Sequence, residues 1–222
     1  MKPLGKYLLV VLAVIAIDQS VKLAVKLNMA LYEGIPVLGT FFQIYFIEND
    51  GAAFGLTITR LLSPLVTLSD ATGKLILTLF SILLVGLIGR YLYTIRHHRT
   101  GLPFWVALIL GGALGNIIDR VFYGVWFAEL NPESYPNALF YGRVVDMFAF
   151  DLWRFTWPEW VPGVGGQATS TPVFNVADAA ISVGIVVLLV FQRRFFEAKP
   201  AAPGAPSAVT DASAPTTPEA EA

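Results

Sequence analysis

Along most of this chain apolar residues do not alternate with polar ones but run together. Four apolar stretches, about residues 4–25, 75–95, 102–118 and 173–191, have the length that a bilayer-crossing helix needs, roughly 17–25 residues. The first follows Lys2 and Lys6, as a cleaved signal peptide would. It is too long for one, no small-x-small site follows it, and it continues through Asp18-Gln19-Ser20-Val21-Lys22, so it reads as an uncleaved helix. Four spans place both termini on one side and two long loops, about 28–73 and 120–172, on the other. The fold expected is an all-α integral membrane protein with four transmembrane helices.

The loops modify that picture. The first contains Phe41-Phe42-Gln43-Ile44-Tyr45-Phe46-Ile47 and then Glu48-Asn49-Asp50-Gly51. Aromatic and β-branched residues ending in a turn-forming group predict a small extracytoplasmic β-sheet with a hairpin or tight turn. In the second loop, Phe150, Trp153, Trp157 and Trp160 recur near i, i+3, i+7 and i+10. That spacing predicts a short interfacial helix with its indoles at headgroup depth, the alternative being a packed aromatic cluster in a soluble cap. From Lys199 onward Ala, Pro, Ser, Thr and Glu dominate. Such a segment cannot bury a core, so 199–222 is expected to be a disordered tail behind a membrane domain spanning 1–198.

Composition agrees. Of 222 residues, 55% are hydrophobic and 14% charged, against about a quarter charged in soluble domains; mean hydropathy is +0.64. A net charge of −1 gives no reason to expect nucleic acid as a partner. With no cysteine, disulfides, thiol nucleophiles and thiolate metal sites are excluded. His97 and His98 are adjacent and face different ways, which excludes a zinc site of the H-E-x-x-H kind. Lys2, Lys6, Arg90, Arg96, Arg99, Arg193, Arg194 and Lys199 crowd the helix ends on the side of the termini, and the other basic residues are spread thinly. The positive-inside rule then puts both termini in the cytoplasm, and Asp18, Asp119, Asp146 and Asp178 all fall on the outer side.

Those four acids carry the candidate chemistry. An Asp in a membrane helix costs about 2.5–3.5 kcal/mol at mid-span and less near the ends, and intramembrane acids mark functional sites. Two readings fit Asp18: an ion pair with Lys22 at i+4, or with Gln19 an anchor for a polar ligand. Asp119 closes Gly111-Gly112-Ala113-Leu114-Gly115-Asn116-Ile117-Ile118-Asp119-Arg120, whose small residues allow close helix packing. Asn116 shares its face, and Arg120 can neutralise a nearby carboxylate. Asp146 lies in Val144-Val145-Asp146-Met147-Phe148, with Arg143 three residues back as an alternative surface partner. Asp178 has no cation within a turn on either side, and Asn175 shares its face to bind a substrate or cap the helix. Two carboxyls brought together in a poorly solvated site share a proton, so one can activate water while the other donates to a carbonyl oxygen. No cysteine, no histidine on the outer side and no G-x-S-x-G motif is present, so a hydrolase here would be an aspartate one.

Asp18-Gln19-Ser20-Val21-Lys22, Asn49-Asp50-Gly51-Ala52-Ala53-Phe54, Gly111 to Arg120, Val144-Val145-Asp146 and Phe174-Asn175-Val176-Ala177-Asp178 stand in the order found in lipoprotein signal peptidase (signal peptidase II), and residues 4–195 resemble that family. The resemblance implies a four-helix aspartic endopeptidase of the bacterial cytoplasmic (inner) membrane, active at its extracytoplasmic face. It implies cleavage of diacylglyceryl-modified prolipoproteins just before the lipidated cysteine of the lipobox. It also implies no metal or organic cofactor, with membrane lipids around a monomer. Carried over by motif, Asp146 and Asp178 resemble the catalytic dyad. Asp18, Lys22, Asn49, Gly51, Asn116, Asp119, Arg120 and Asn175 match positions that bind substrate or support the dyad. The chain departs from the usual pattern in a longer, Trp-rich segment between Asp146 and Phe174 and in an extended stretch from Leu56 to Gly73. Two other classes fit less well. A proton-coupled carrier spreads its acids across the membrane depth and often carries an internal repeat, neither of which is seen. A scaffold pairing its acids with Lys22, Arg120 and Arg143 leaves Asp178 unexplained.

Overall fold

The first helix reverses the pattern of a soluble helix. In a computed structural model that describes residues 3–51, 69–98, 100–131, 137–161 and 165–196, helix α1 (Pro3–Asn28) buries Tyr7, Val11, Val14, Asp18, Lys22 and Val25 at steps of three and four. Its exposed residues include Leu8, Leu9, Leu12, Ile17 and Leu27. A helix that hides its mid-span charges and exposes its leucines is built for lipid. Helix α2 (Asp70–Ile95) starts at Ser69, whose hydroxyl accepts the Thr72 N–H at 3.2 Å, and likewise exposes Leu79, Phe80, Leu83 and Leu87. Helix α3 (Leu102–Ile118) lies between α1, α2 and helix α4 (Val176–Val190). Small residues permit this. A Cβ on Gly112 would run into the Ala177 carbonyl oxygen, and one on Gly115 would stand 2.6 Å from Asp18 Oδ2.

Beyond Ile118 the chain does not leave the helix. It widens into a π-helical turn, Asp119–Tyr123, and one further helical turn, Gly124–Trp126. With that extension, three helices among the described residues are long and apolar enough to cross a membrane: Leu4–Asn28, Asp70–Ile95 and Leu102–Trp126. The fourth expected span is shorter than its apolar run. Asn175 caps it, so α4 covers 15 residues, about 22 Å at 1.5 Å per residue against a hydrocarbon core of about 30 Å. A short helix α5 (Gln192–Phe196) follows directly.

At one end of the helices lies an antiparallel sheet of β1 (Gly34–Leu38), β2 (Phe42–Asn49) and β3 (Val144–Phe150), in that order. Ile47 lies opposite Asp146 and Asn49 opposite Val144. Phe46, Val145 and Met147 pack against Val25 and Tyr123, which seats the sheet on α1 and the π-helical turn. Successive residues of a strand point to opposite faces, so Asp146, Phe148 and Phe150 share the other face. The Phe42 and Phe150 rings stack at 4.6 Å, and Phe174 stacks on Phe150 at 5.9 Å. At the opposite end Tyr7, Leu92, Leu102 and Phe195 form a second apolar cluster.

Of the two loop expectations, the first holds and the second changes. The predicted sheet is present, but the hairpin precedes β2, joining it to β1; the Asn49-Asp50-Gly51 stretch makes the tight turn, with the Gly51 N–H donating to Asn49 Oδ1 at 2.8 Å and Gly51 at φ +90°. The predicted interfacial helix between Phe150 and Trp160 does not form. Phe150 ends β3, and β4 (Arg154–Thr156) pairs with β5 (Ala168–Ser170) as a hairpin. Trp153 and Trp157, four residues apart, fit a period of two as well as a helical spacing, Phe155 and Thr156 favour strand, and Pro158 cannot sit inside a helix. Trp157 Nε1 donates across the hairpin to Thr169 Oγ1 at 2.8 Å. The tail, the Ala52-Ala53-Phe54 part of its motif and most of the stretch from Leu56 to Gly73 lie outside the described residues.

Candidate active site

Lys22 is the centre of a buried polar cluster where the helices meet the sheet. Its ammonium has three N–H donors and reaches three oxygens: Asp18 Oδ2 at 2.9 Å, Asp119 Oδ2 at 2.8 Å and Asn116 Oδ1 at 2.9 Å. Lys22, Asp18 and Asp119 are all fully buried. The remaining carboxylate capacity is filled as well. The Ala177 N–H donates to Asp18 Oδ1 at 2.8 Å, and the Val145 N–H to Asp119 Oδ2 at 3.3 Å. Gln19 Nε2 donates to Asp119 Oδ1 at 2.9 Å and Asp18 Oδ2 at 3.2 Å, while its Oε1 accepts from Tyr123 Oη at 3.0 Å. Paired charges with complete hydrogen bonding are the form in which a protein interior tolerates ions. Because the partners come from several elements, the cluster ties α1, α3, the π-helical turn, α4 and β3 together. Of the two readings of Asp18, the structure contains the ion pair.

One layer further out stand Asp146 and Asp178, joined through Asn175. The Asn175 side chain caps α4 by accepting the Asp178 N–H at 2.9 Å, and the Asn175 N–H donates back to Asp178 Oδ2 at 3.3 Å, a capping box. The same side chain's Nδ2 donates to Asp146 Oδ1 at 2.6 Å, with the Val145 carbonyl at 3.3 Å. Asn49 Nδ2 donates to Asp146 Oδ2 at 3.1 Å, and Asn116 Nδ2 to Asp178 Oδ1 at 2.8 Å. Every carboxyl oxygen of the pair thus receives an amide N–H, and Asn116 links the pair to Lys22. Asp146 is 2% exposed whereas Asp178 is half-buried. Burial lifts the Asp146 carboxyl from its ordinary range to about 7. The neighbouring Asp178 carboxylate adds to the rise, and the Asn49 and Asn175 hydrogen bonds oppose it.

All the candidate residues read from the motifs gather here, with two changes of partner. Arg120 is not the counter-ion of Asp119, because neighbouring helix positions point in different directions. Lys22 takes Asp119, and Arg120 Nη1 donates instead to Ser81 Oγ on α2 at 3.2 Å. A Cβ on Gly51 would stand 3.8 Å from Arg120 Nη2 and would collide with Leu77, which brings the Gly51 turn against the arginine. Among the described residues Arg143 forms its ion pair not with Asp146 but with Asp50, at 2.6 Å, where Lys74 also binds at 2.8 Å. Tyr123 and Lys26 were not singled out by sequence reasoning. Lys26, buried one turn beyond Lys22, pairs with Glu48 and donates to Asn131 Oδ1 at 3.1 Å. The Asp18, Lys22, Lys26 spacing of four was the available signal for it.

Comparison with known proteins identifies the family. A sequence model of the family described as Signal peptidase (SPase) II matches residues 10–194. Proteins named lipoprotein signal peptidase match across most of their length. That of Porphyromonas gingivalis is 37% identical over 85% of this chain and 83% of its own. That of Amoebophilus asiaticus is 34% identical over 86% and 79%, and that of Moorella thermoacetica 32% over 82% and 89%. A solved bacterial membrane enzyme covers 89% of this chain and 93% of its own with a TM-score of 0.57 at 20% identity, a likeness of fold. On the strength of these matches and its long lipid-facing helices, the chain is a multi-pass membrane protein that belongs to the signal peptidase II family.

Proposed function

We propose that this chain is an aspartic endopeptidase that removes the signal peptide from diacylglyceryl-modified prolipoproteins, cutting just before the lipidated cysteine of the lipobox. The observation that carries the reading is the pair Asp146 and Asp178, bridged by Asn175 and with no lysine or arginine in direct contact among the described residues. With its carboxyl lifted to about 7, Asp146 holds a proton near neutral pH while Asp178 serves as base. Water between them gives a proton to Asp178 and attacks the scissile carbonyl carbon, as Asp146 donates its proton to the carbonyl oxygen. Collapse of the tetrahedral intermediate breaks the C–N bond, and a proton returns to the departing amine. Asn49, Asn116 and Asn175 orient the two carboxyls, Asp18, Lys22 and Asp119 brace them from below, and Arg120 and Gly51 flank the space a peptide would enter.

The same reading places four helical crossings in the bacterial inner membrane, α4 continuing through α5. Both termini are cytoplasmic, and the dyad sits at the extracytoplasmic face of a monomer. Lys6, Arg96, Arg193 and Arg194 at the end opposite the acids support that orientation. A lipidated cysteine keeps its acyl chains in the bilayer, so its scissile bond arrives at the depth of the sheet and the helix ends. The test is incubation of purified protein with a lipobox peptide in diacylglyceryl-modified and unmodified forms. The modified peptide is expected to yield a product beginning at the lipidated cysteine. Equal cleavage of both forms, or cleavage elsewhere, would overturn the assignment.

A further inference from the structure

At the end of the helices away from the aspartates, the first turns of α1 and the connection from α2 to α3 enclose a cavity of about 580 Å³, within the about 300–1,000 Å³ typical of small-ligand sites. Lys6, Arg96, His97 and His98 line one part of it, and Tyr7, Val10 and Phe104 the other. Among the described residues the cations there are not paired with acids. No Asp or Glu occurs in residues 1–17 or 71–118, and among the described residues no salt bridge involves Lys6, Arg96, His97 or His98. Aromatic rings hold two of them instead. The Lys6 ammonium lies 4.8 Å from the Tyr7 ring centroid, and the Arg96 guanidinium stacks on Tyr93 at 3.8 Å while donating to the Tyr93 carbonyl. A cation on a π face keeps its N–H donors free for an anion. The apolar side opens toward the lipid-facing surface, since Phe104 is 42% exposed and Leu8 and Leu9 next to the cavity are exposed as well.

A cationic pocket at a helix end with an apolar wall facing hydrocarbon fits one class of ligand, an anion that carries its own acyl chains. We infer that this cavity is a binding site for the phosphate headgroup of an anionic phospholipid, with Lys6 and Arg96 on the phosphate and Val10 and Phe104 along the first segments of acyl chain. Charge complementarity and continuity with the lipid-facing helices select a lipid over a soluble phosphate. The site is remote from Asp146 and Asp178 and does not depend on the reading of the peptidase reaction.

The test is native mass spectrometry of the full chain in neutral detergent, titrated with dioleoyl phosphatidylglycerol, dioleoyl phosphatidylcholine or inorganic phosphate. The wild type is expected to retain phosphatidylglycerol in preference to phosphatidylcholine, and millimolar inorganic phosphate should not displace it. Each of K6Q and R96Q should weaken phosphatidylglycerol retention about fivefold, the contribution of one basic residue near an anionic lipid, with phosphatidylcholine unchanged. K6R, which keeps the charge, should restore selectivity and so separate lost binding from faulty insertion. Arg154→Gln, at the other end of the molecule, should leave retention alone, and cleavage activity in detergent should be the same in all four variants. Equal retention of the two lipids by the wild type, selectivity that survives K6Q and R96Q, or displacement by inorganic phosphate would each overturn the proposal.

Discussion

Lys22 has three protons to donate and three oxygens to receive them, so nothing at this position can be replaced without leaving a buried group unpaired. Lys22→Met, similar in size but uncharged, would strand Asp18 and Asp119, both fully buried, and removing one partner of a buried ion pair costs about 3–5 kcal/mol. Unfolding in mixed detergent micelles is expected to show a loss of that size. The i,i+4 pair with Asp18 was legible in the sequence. The bond to Asp119 was not, because the partners are far apart along the chain and Arg120, adjacent to Asp119, offered a nearer cation. Asp146 yields the second prediction at this scale. Its carboxyl, raised to about 7 mainly by burial, is neutral below that pH and charged above it. If it is the proton donor, kcat/KM should fall above pH about 7, approaching tenfold per unit. A profile flat to pH 9 would remove Asp146 from that role.

Among the elements, α3 closely approaches α1, where Gly115 meets Asp18, and α4, where Gly112 meets the Ala177 carbonyl. The approach to α4 lets Asn116 on one helix reach Asp178 on the other at 2.8 Å. Gly112→Ala should push the helices apart, costing about 1–3 kcal/mol as overpacking does. It should lower cleavage at least tenfold while leaving helix content by circular dichroism unchanged; full activity would show that the approach does not set the dyad. The small-residue run was visible in the sequence as a packing surface, but not which helix it packs against. The hairpin β4–β5 shows the opposite limit. Its tryptophans fit two periods at once, and Pro158 together with the β-forming Phe155 and Thr156 decides for strands over the expected helix.

For the molecule as a whole, a polarity visible in the sequence becomes a polarity in space. Asp18, Asp119, Asp146 and Asp178, spread over 160 residues, meet at one end through three helices and a strand, while Lys6 and Arg96 stand at the other. Alternating helix directions make that convergence readable from order and spacing alone. The amide bridge of Asn175, which decides whether Asp146 and Asp178 act together, is a matter of side-chain geometry and needed the fold. The direct measurement of the central claim is cleavage of a diacylglyceryl-modified lipobox peptide by purified wild type, Asp146→Asn and Asp178→Asn, with thermal stability recorded for each. Each variant is expected to lose activity by about 10²–10⁴-fold or more, the contribution of a positioned acid or base, with a melting temperature close to that of the wild type. Turnover within about threefold of wild type by either folded variant would contradict the dyad.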